Sequence, residues 1–137
     1  MKAQTIYDIT MSLMDERKND GNVDVNSTKD YLARTPGILT ILQTEIVMEL
    51  KRVGAKISSL DEVKKMTTDI DLEDDICFGI IPYGLAARLL AQEDTTLSNY
   101  FSSLYDNAFN RYLSEYKQLA KQEDREDVYG SLMRVGG

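Results

Sequence analysis

The sequence predicts an all-α fold: a bundle of about four helices with kinks at the prolines, followed by a flexible C-terminal tail. Apolar residues recur at intervals of three and four along most of the chain, which is the period of an amphipathic helix. Short stretches rich in Gly, Asn, Asp and Ser separate these periodic segments. The length of 137 residues matches one ordinary domain, and 42% hydrophobic with 28% charged residues is a soluble globular composition. We therefore expect one helical domain over residues 1–121 and a tail over residues 122–137.

The first helix is predicted over residues 3–18. Ile6, Ile9 and Leu13 repeat at helical spacing within this segment. The following stretch, residues 19–29, begins with Asn, Asp and Gly, which end helices and favour turns. This stretch is expected to form a surface loop.

The second helical segment is predicted to begin near Ser27 or Thr28, either of which can cap it, and to stop at Gly54. Proline disfavours helical dihedral angles in the residue before it, which here is Thr35. We therefore expect a break at this point, with Pro36 opening the longer helix, in preference to a kink within one helix. The apolar stripe of this segment comprises Leu39, Leu42, Ile46, Leu50 and Val53.

The periodic pattern weakens between residues 55 and 71. Ser59 and Glu62 have the spacing of a capping box, which would begin one short turn of helix. A loop with an extended start is an equally good interpretation of this segment.

A third helix is predicted to begin at Asp71 as its N-cap, because acidic residues 73–75 then lie where the helix dipole favours negative charge. Pro82 lacks an amide hydrogen and crowds the carbonyl group of Phe78, so the helix must bend or begin again there. Apolar residues cover most of the circumference of this helix, which predicts that the helix lies at the centre of the domain. They form two adjoining stripes, Ile76, Ile80, Tyr83, Ala87 and Leu90, and Cys77, Ile81, Leu85 and Leu89.

The last helix is predicted to begin at a cap on Asp94 or Thr95 and to end at about Lys121. Tyrosines flank its stripe between residues 100 and 116, and they either complete the core, which is the favoured interpretation, or form a face for a partner. The stripe comprises Leu97, Phe101, Leu104, Ala108, Tyr112 and Leu119.

Composition excludes most catalytic and metal sites. The chain has no His, which removes the commonest general base and the imidazole ligand, and a single Cys, which excludes an internal disulfide. Cys77 is interpreted as an inert buried thiol. The acidic residues of 69–75 are explained as a helix N-terminus, so we assign no catalytic, cofactor or metal residues and expect no enzyme activity. The net charge of -7 argues against a protein that grips the phosphate backbone of a nucleic acid.

The predicted tail combines a charged run over residues 123–127 with apolar residues beyond it. It is either a solvated, disordered end or a short linear motif that becomes ordered on docking to a partner. The candidate partner-binding residues of that motif are Val128, Tyr129, Leu132 and Met133.

Four stretches of the chain resemble a known class of protein. They are ARTPGILTILQTE at the second helix, SLDEV before the third, DDICFGIIPYGLAARLLAQED at the third, and LSNYFSSLYDNAFNRYL in the last. This pattern resembles small virion proteins of tailed bacteriophages and prophages, in particular the head-tail connector or adaptor class. The PYGLAARLLAQED portion carries most of the likeness.

The resemblance implies a structural virion protein, present in the host cytoplasm before assembly, that forms a ring on the phage portal protein and extends the DNA conduit. Its implied partners are the portal, the tail-side connector proteins and further copies of itself in a homo-oligomer. It implies neither sequence-specific nucleic-acid binding nor membrane association, and an acidic conduit would let DNA slide. In such adaptors a terminal segment docks onto the portal, which gives the candidate residues of the tail a role.

Two alternatives to a connector stay open at the level of sequence. One is a cytoplasmic, prophage-encoded helical binding module that sequesters a host protein. The other is a transient assembly factor that leaves before the particle matures. A structural component is retained in particles at many copies, whereas either alternative is left in the lysate.

Overall fold

The computed structural model describes the backbone of residues 1–17 and 25–135, and the side chains of residues 1–14 and 29–122. Within this part of the chain all regular structure is helical, which confirms the predicted all-α class. The five helices are α1 (Ala3–Arg17), α2 (Val25–Arg52), α3 (Asp74–Gly79), α4 (Ile81–Leu89) and α5 (Thr95–Val135).

Helix α2 is continuous through Pro36, so the predicted break at this residue is wrong. Residues on both sides of the proline are buried on one face of the helix, among them Tyr31, Thr35 and Leu39. Burial of that face stabilises the helix across the lost backbone hydrogen bond, because tertiary packing outweighs a local preference. The helix ends at Arg52, and Gly54 lies two residues beyond this end as the expected stop, with a φ of 98° that is accessible to glycine at little cost.

The predicted third helix is divided into two, α3 and α4, by Ile80, which has φ -125° and ψ -57°. Pro82 lies in the first turn of α4, where its missing amide hydrogen costs no intrahelical bond. Of the two outcomes expected at this proline, a bend or a new start, the structure has the new start. The predicted cap on Asp71 is wrong, since Glu73 is the N-cap residue and α3 begins one residue after it.

The segment between α2 and α3 is a loop, and the helical turn considered at Ser59 is absent from it. The loop packs along the start of α1. The amide of Ala3 donates to the carbonyl of Thr68 over 3.0 Å, and the amide of Gln4 donates to that of Met66 over 2.9 Å. Amides in the first turn of a helix have no intrahelical acceptor, so these bonds satisfy groups that would otherwise need water.

The same loop is also held against α2. The hydroxyl of Thr40 accepts from the amide of Val63 over 3.0 Å, and the buried amide side chain of Gln43 donates to the carbonyl of Asp61 over 2.6 Å. Val63 and Ile70 place their side chains in the core. These contacts hold the loop in place without regular secondary structure.

Helix α4 occupies the centre of the domain and packs against α1, α2, α3 and α5. Most of its side chains are buried, including Ile81, Leu85 and Leu89. The closest approach is at Gly84, where a β-carbon would lie 2.8 Å from Leu42 Cδ2 and 2.9 Å from Tyr105 Cδ2. The central position predicted for this helix is confirmed.

A polar cluster joins three helices beside this contact. Arg88 of α4 donates to both carboxylate oxygens of Glu45 on α2, each over 2.7 Å. The hydroxyl of Tyr105 on α5 donates to the same carboxylate over 3.4 Å. Both bonds of Arg88 come from the same nitrogen, Nη2, and together with the tyrosine hydroxyl they link α2, α4 and α5 through one carboxylate.

Helix α5 begins at a cap formed by Asp94, whose carboxylate accepts from the amide of Leu97 over 3.0 Å. Its most buried residues are Phe101, Tyr105 and Phe109, so the inward face is rotated slightly from the predicted stripe. Leu119, assigned to that stripe, is 61% exposed. The helix continues to Val135, so the end predicted near Lys121 is also wrong.

Two glycines within helices provide a matched test of the close packing around α4. Gly37 is exposed in the middle of α2, and a β-carbon there meets no atom within 4 Å. Gly37→Ala should raise the free energy of unfolding by about 0.5–1 kcal/mol through helix propensity. Gly84→Ala should lower the free energy of unfolding by about 1–2 kcal/mol, because the clash of the added methyl group with its neighbours outweighs the gain in helix propensity. Urea denaturation measures both values, and equal stabilisation by the two substitutions would contradict the close packing.

Candidate functional site

The single thiol of the chain is not placed for chemistry. Cys77 is fully buried in the core, which confirms its interpretation as a buried thiol. Burial raises its pKa, and the thiol group lies 3.6 Å from the carbonyl oxygen of Leu72. A thiol that is inaccessible and protonated is a poor nucleophile.

The acidic residues between 69 and 75 do not all gather at one site: Asp69 and Asp71 line one concave surface, and Glu73 and Asp75 line another. The backbone of Asp69 forms an isolated antiparallel β-bridge with the backbone of Lys2. Asp74 and Asp75 lie in the first turn of α3, where negative charge is favourable. Across the described part of the chain, no group of three His, Cys, Asp or Glu side chains is arranged to hold a metal ion.

A concave surface lies between the start of α3 and the second half of α5, and we call it the α3–α5 groove. One part of it has a volume of about 360 Å³. A second part, of about 260 Å³, shares Glu73, Tyr112 and Tyr116 with the first and extends to the end of α2 and the loop after it. The first part is lined by Glu73, Asp75, Tyr112, Glu115, Tyr116, Leu119 and Ala120.

One hydrogen bond joins the two walls of the groove. The hydroxyl of Tyr112 on α5 donates to Glu73 Oε2 at the start of α3, over 2.8 Å. Burial, followed by this hydrogen bond and the nearby charges of Glu73 and Asp75, raises the pKa of Tyr112. The tyrosine therefore stays protonated, and remains a donor to Glu73, up to a higher pH than an ordinary tyrosine does.

The lining of the groove has two chemical characters. Asp71, Glu73, Asp75 and Glu115 give it negative charge, whereas Lys56 is the one basic residue among those that line its two parts. The rings of Tyr112 and Tyr116, together with the apolar side chains around them, give it a non-polar floor. A surface of this kind suits a partner that carries both positive charge and apolar side chains.

The sequence identified part of this site. It marked the tyrosines of residues 100–116 as either core or interface. Tyr105 is buried in the core, as the favoured interpretation expects, whereas Tyr112 and Tyr116 line the groove, where an interface stays a prediction. It did not identify Glu73 and Asp75 as part of a surface shared with α5. Glu73 is 39 positions from Tyr112 in the sequence, and only the packing of α3 and α5 on α4 brings them together.

The candidate partner-binding residues of the tail lie in the last part of α5, which the structure extends to Val135. The side chains of Val128, Tyr129, Leu132 and Met133 are outside the described residues, so their role stays a prediction. They belong to a separate stretch of α5 from the residues that line the groove.

Comparisons of the chain with profiles of protein families, with curated proteins and with solved structures found no significant match. Across residues 1–17 and 25–135, no helix combines the length and the apolar character needed to cross a bilayer.

The raised pKa of Tyr112 predicts how stability depends on pH. Because the pKa in the folded state lies above its ordinary value of 10.0, the stabilising contribution is complete below pH 10 and is lost as the pH rises further. Tyr112→Phe removes this contribution, so the stability advantage of the native chain over the variant should shrink above pH 10. Denaturation measured from pH 7 to pH 11 tests this, and a constant difference between the two proteins would contradict it.

Proposed function

We propose that this chain is a structural phage protein, a head-tail connector or adaptor that assembles as a ring on the portal and extends the DNA conduit. The observation that carries the proposal is the extension of α5 beyond the core. Among the described side chains, which reach residue 122, the last buried one on this helix is Phe109, whereas the backbone of the helix continues to Val135. At 1.5 Å per residue, its 41 residues span about 60 Å, which is longer than a domain of this size needs.

The part of α5 beyond Phe109 still carries large apolar side chains. Tyr112, Leu113 and Tyr116 are half-buried, and Leu119 is 61% exposed. Packing within the domain accounts for the first three only in part and does not account for Leu119. Apolar side chains on a helix that projects past its own core are typical of a surface that another protein covers.

The fold is compatible with the resemblance on which the proposal also rests. The stretch PYGLAARLLAQED, which carries most of the likeness, contains nearly all of α4 and therefore the centre of the domain. The other three stretches belong to α2, to the loop that packs against α2, and to α5. The likeness thus falls on residues that determine the packing of the core.

The charge of the chain supports the same proposal. A net charge of -7 gives a surface that repels the phosphate backbone on average. A ring through which DNA passes must not hold it tightly, because each neutralised phosphate would add to adhesion. An acidic wall meets this requirement.

The proposal predicts that the protein is retained in mature particles. Quantitative mass spectrometry of purified particles from the source phage or induced prophage should find it in a copy number close to that of the portal. A protein left in the lysate and absent from particles would refute the connector role and favour the binding module or the transient assembly factor.

The tail hypothesis has a separate test. Deletion of residues 122–137 should abolish binding to the portal, which can be measured by co-sedimentation. Because residues 122–135 are helical, the circular dichroism signal should fall modestly, in proportion to the residues removed. The midpoint of thermal unfolding should stay close to that of the full chain, since the buried side chains among the described residues 1–14 and 29–122 all precede residue 110. Normal portal binding by the truncated protein would exclude the tail as the docking segment.

A further inference from the structure

The negative charge of the α3–α5 groove is not neutralised by the rest of the described chain. Among the described residues, no lysine or arginine forms an ion pair with Glu73, Asp75 or Glu115. The ion pairs that do form lie elsewhere, on α2 and between α2 and α4. With Asp71, which lines the second part, four carboxylates face this concave surface and repel one another, so a bound cation would relieve the repulsion as well as add attraction of its own.

The non-polar part of the groove restricts which cation fits. Tyr112 and Tyr116 supply aromatic rings, which attract an ammonium or guanidinium group at their faces. Leu119, at one end of the groove, is largely exposed and can pack only against an apolar group of a partner. Lysine and arginine combine a cationic head with an aliphatic stem, and neighbouring apolar residues would cover Leu119.

The shape of the groove favours a chain segment over a single small cation. Its two parts, of about 360 Å³ and 260 Å³, meet at Glu73, Tyr112 and Tyr116 and run from Ala120 of α5 to Leu50 at the end of α2. An elongated groove of this kind takes several side chains in a row. Its acidic lining is unsuited to the phosphate groups of a nucleic acid.

We infer that the α3–α5 groove is a docking site for a cationic, amphipathic segment of a protein partner, in which lysine or arginine side chains face the carboxylates and apolar side chains cover Leu119. This inference rests on the proposed function, because it names the chemistry of a partner that an assembly protein would meet. It assigns a second interface to the chain, separate from the tail beyond residue 121. The interaction depends on charge for its rate and specificity and on the apolar contact for its lifetime.

The test uses the full chain and a fluorescein-labelled helical peptide that carries lysine on one side and leucine on the adjoining side, with binding followed by fluorescence anisotropy. Glu73→Gln combined with Glu115→Gln should weaken binding by about tenfold, the sum of two partly exposed charge contacts. Glutamine at position 73 keeps an oxygen that can accept from Tyr112, so the fold should be preserved. The control, Glu62→Gln combined with Asp106→Asn, changes the net charge equally at exposed residues outside the groove and should bind as the native chain does.

A second pair of variants tests the apolar contact. Leu119→Asn should weaken binding several-fold, whereas Met48→Asn, at a side chain that is similarly exposed on α2, should have no effect. A peptide with serine in place of leucine should bind weakly to the native chain. Equal binding of the serine and leucine peptides would reduce the interaction to unspecific attraction between charges and overturn the inference.

Equal weakening by the groove pair and the control pair of charge variants would also overturn it. Particle composition distinguishes this failure from a failure of the proposed function. A protein that is present in particles but lacks a specific peptide site would keep the connector role and lose the groove. A protein that binds the peptide through the groove but is absent from particles would keep the site and lose the connector role.

Discussion

The arrangement of the domain depends on one close contact, the approach of α2 and α5 to α4 at Gly84. With hydrogen in place of a side chain, α4 allows Leu42 and Tyr105 to lie where a β-carbon would be only 2.8–2.9 Å away. The adjoining ion pair of Glu45 and Arg88 links α2 to α4. Because interiors are packed at nearly crystalline density, a shift at this point would displace α2 and α5 together.

The same contact positions the α3–α5 groove. Helix α4 starts anew at Ile81, next to Pro82, and the short α3 before it has its N-cap residue Glu73 at the surface and Ile76 and Cys77 in the core. Helix α5, held against α4 by Phe101, Tyr105 and Phe109, then passes the start of α3 and brings Tyr112 within 2.8 Å of Glu73. The groove thus combines charged side chains and aromatic rings because α3 and α5 both pack on α4. No single helix supplies the whole of its lining.

Much of the fold was predictable from local pattern, and the errors have identifiable causes. The central position of α4, the restart at Pro82 and the stop at Gly54 each depend on residues that act within one turn of helix. The break expected at Pro36 did not occur, because burial on both sides of it stabilises a continuous helix more than the proline disfavours it. The groove could be predicted only in part: the tyrosines indicated an interface, but their carboxylate neighbours come from a distant segment.

By itself, the sequence determined that this protein is helical, that α4 is central and that no histidine or second cysteine is present for catalysis. These properties follow from composition and from the period of apolar residues, which act locally. Only the tertiary structure decided that α2 continues past Pro36, that Leu119 is exposed and that Glu73 faces Tyr112. Each of these depends on how the helices pack against one another. That packing is determined by contacts between residues that are far apart in the chain.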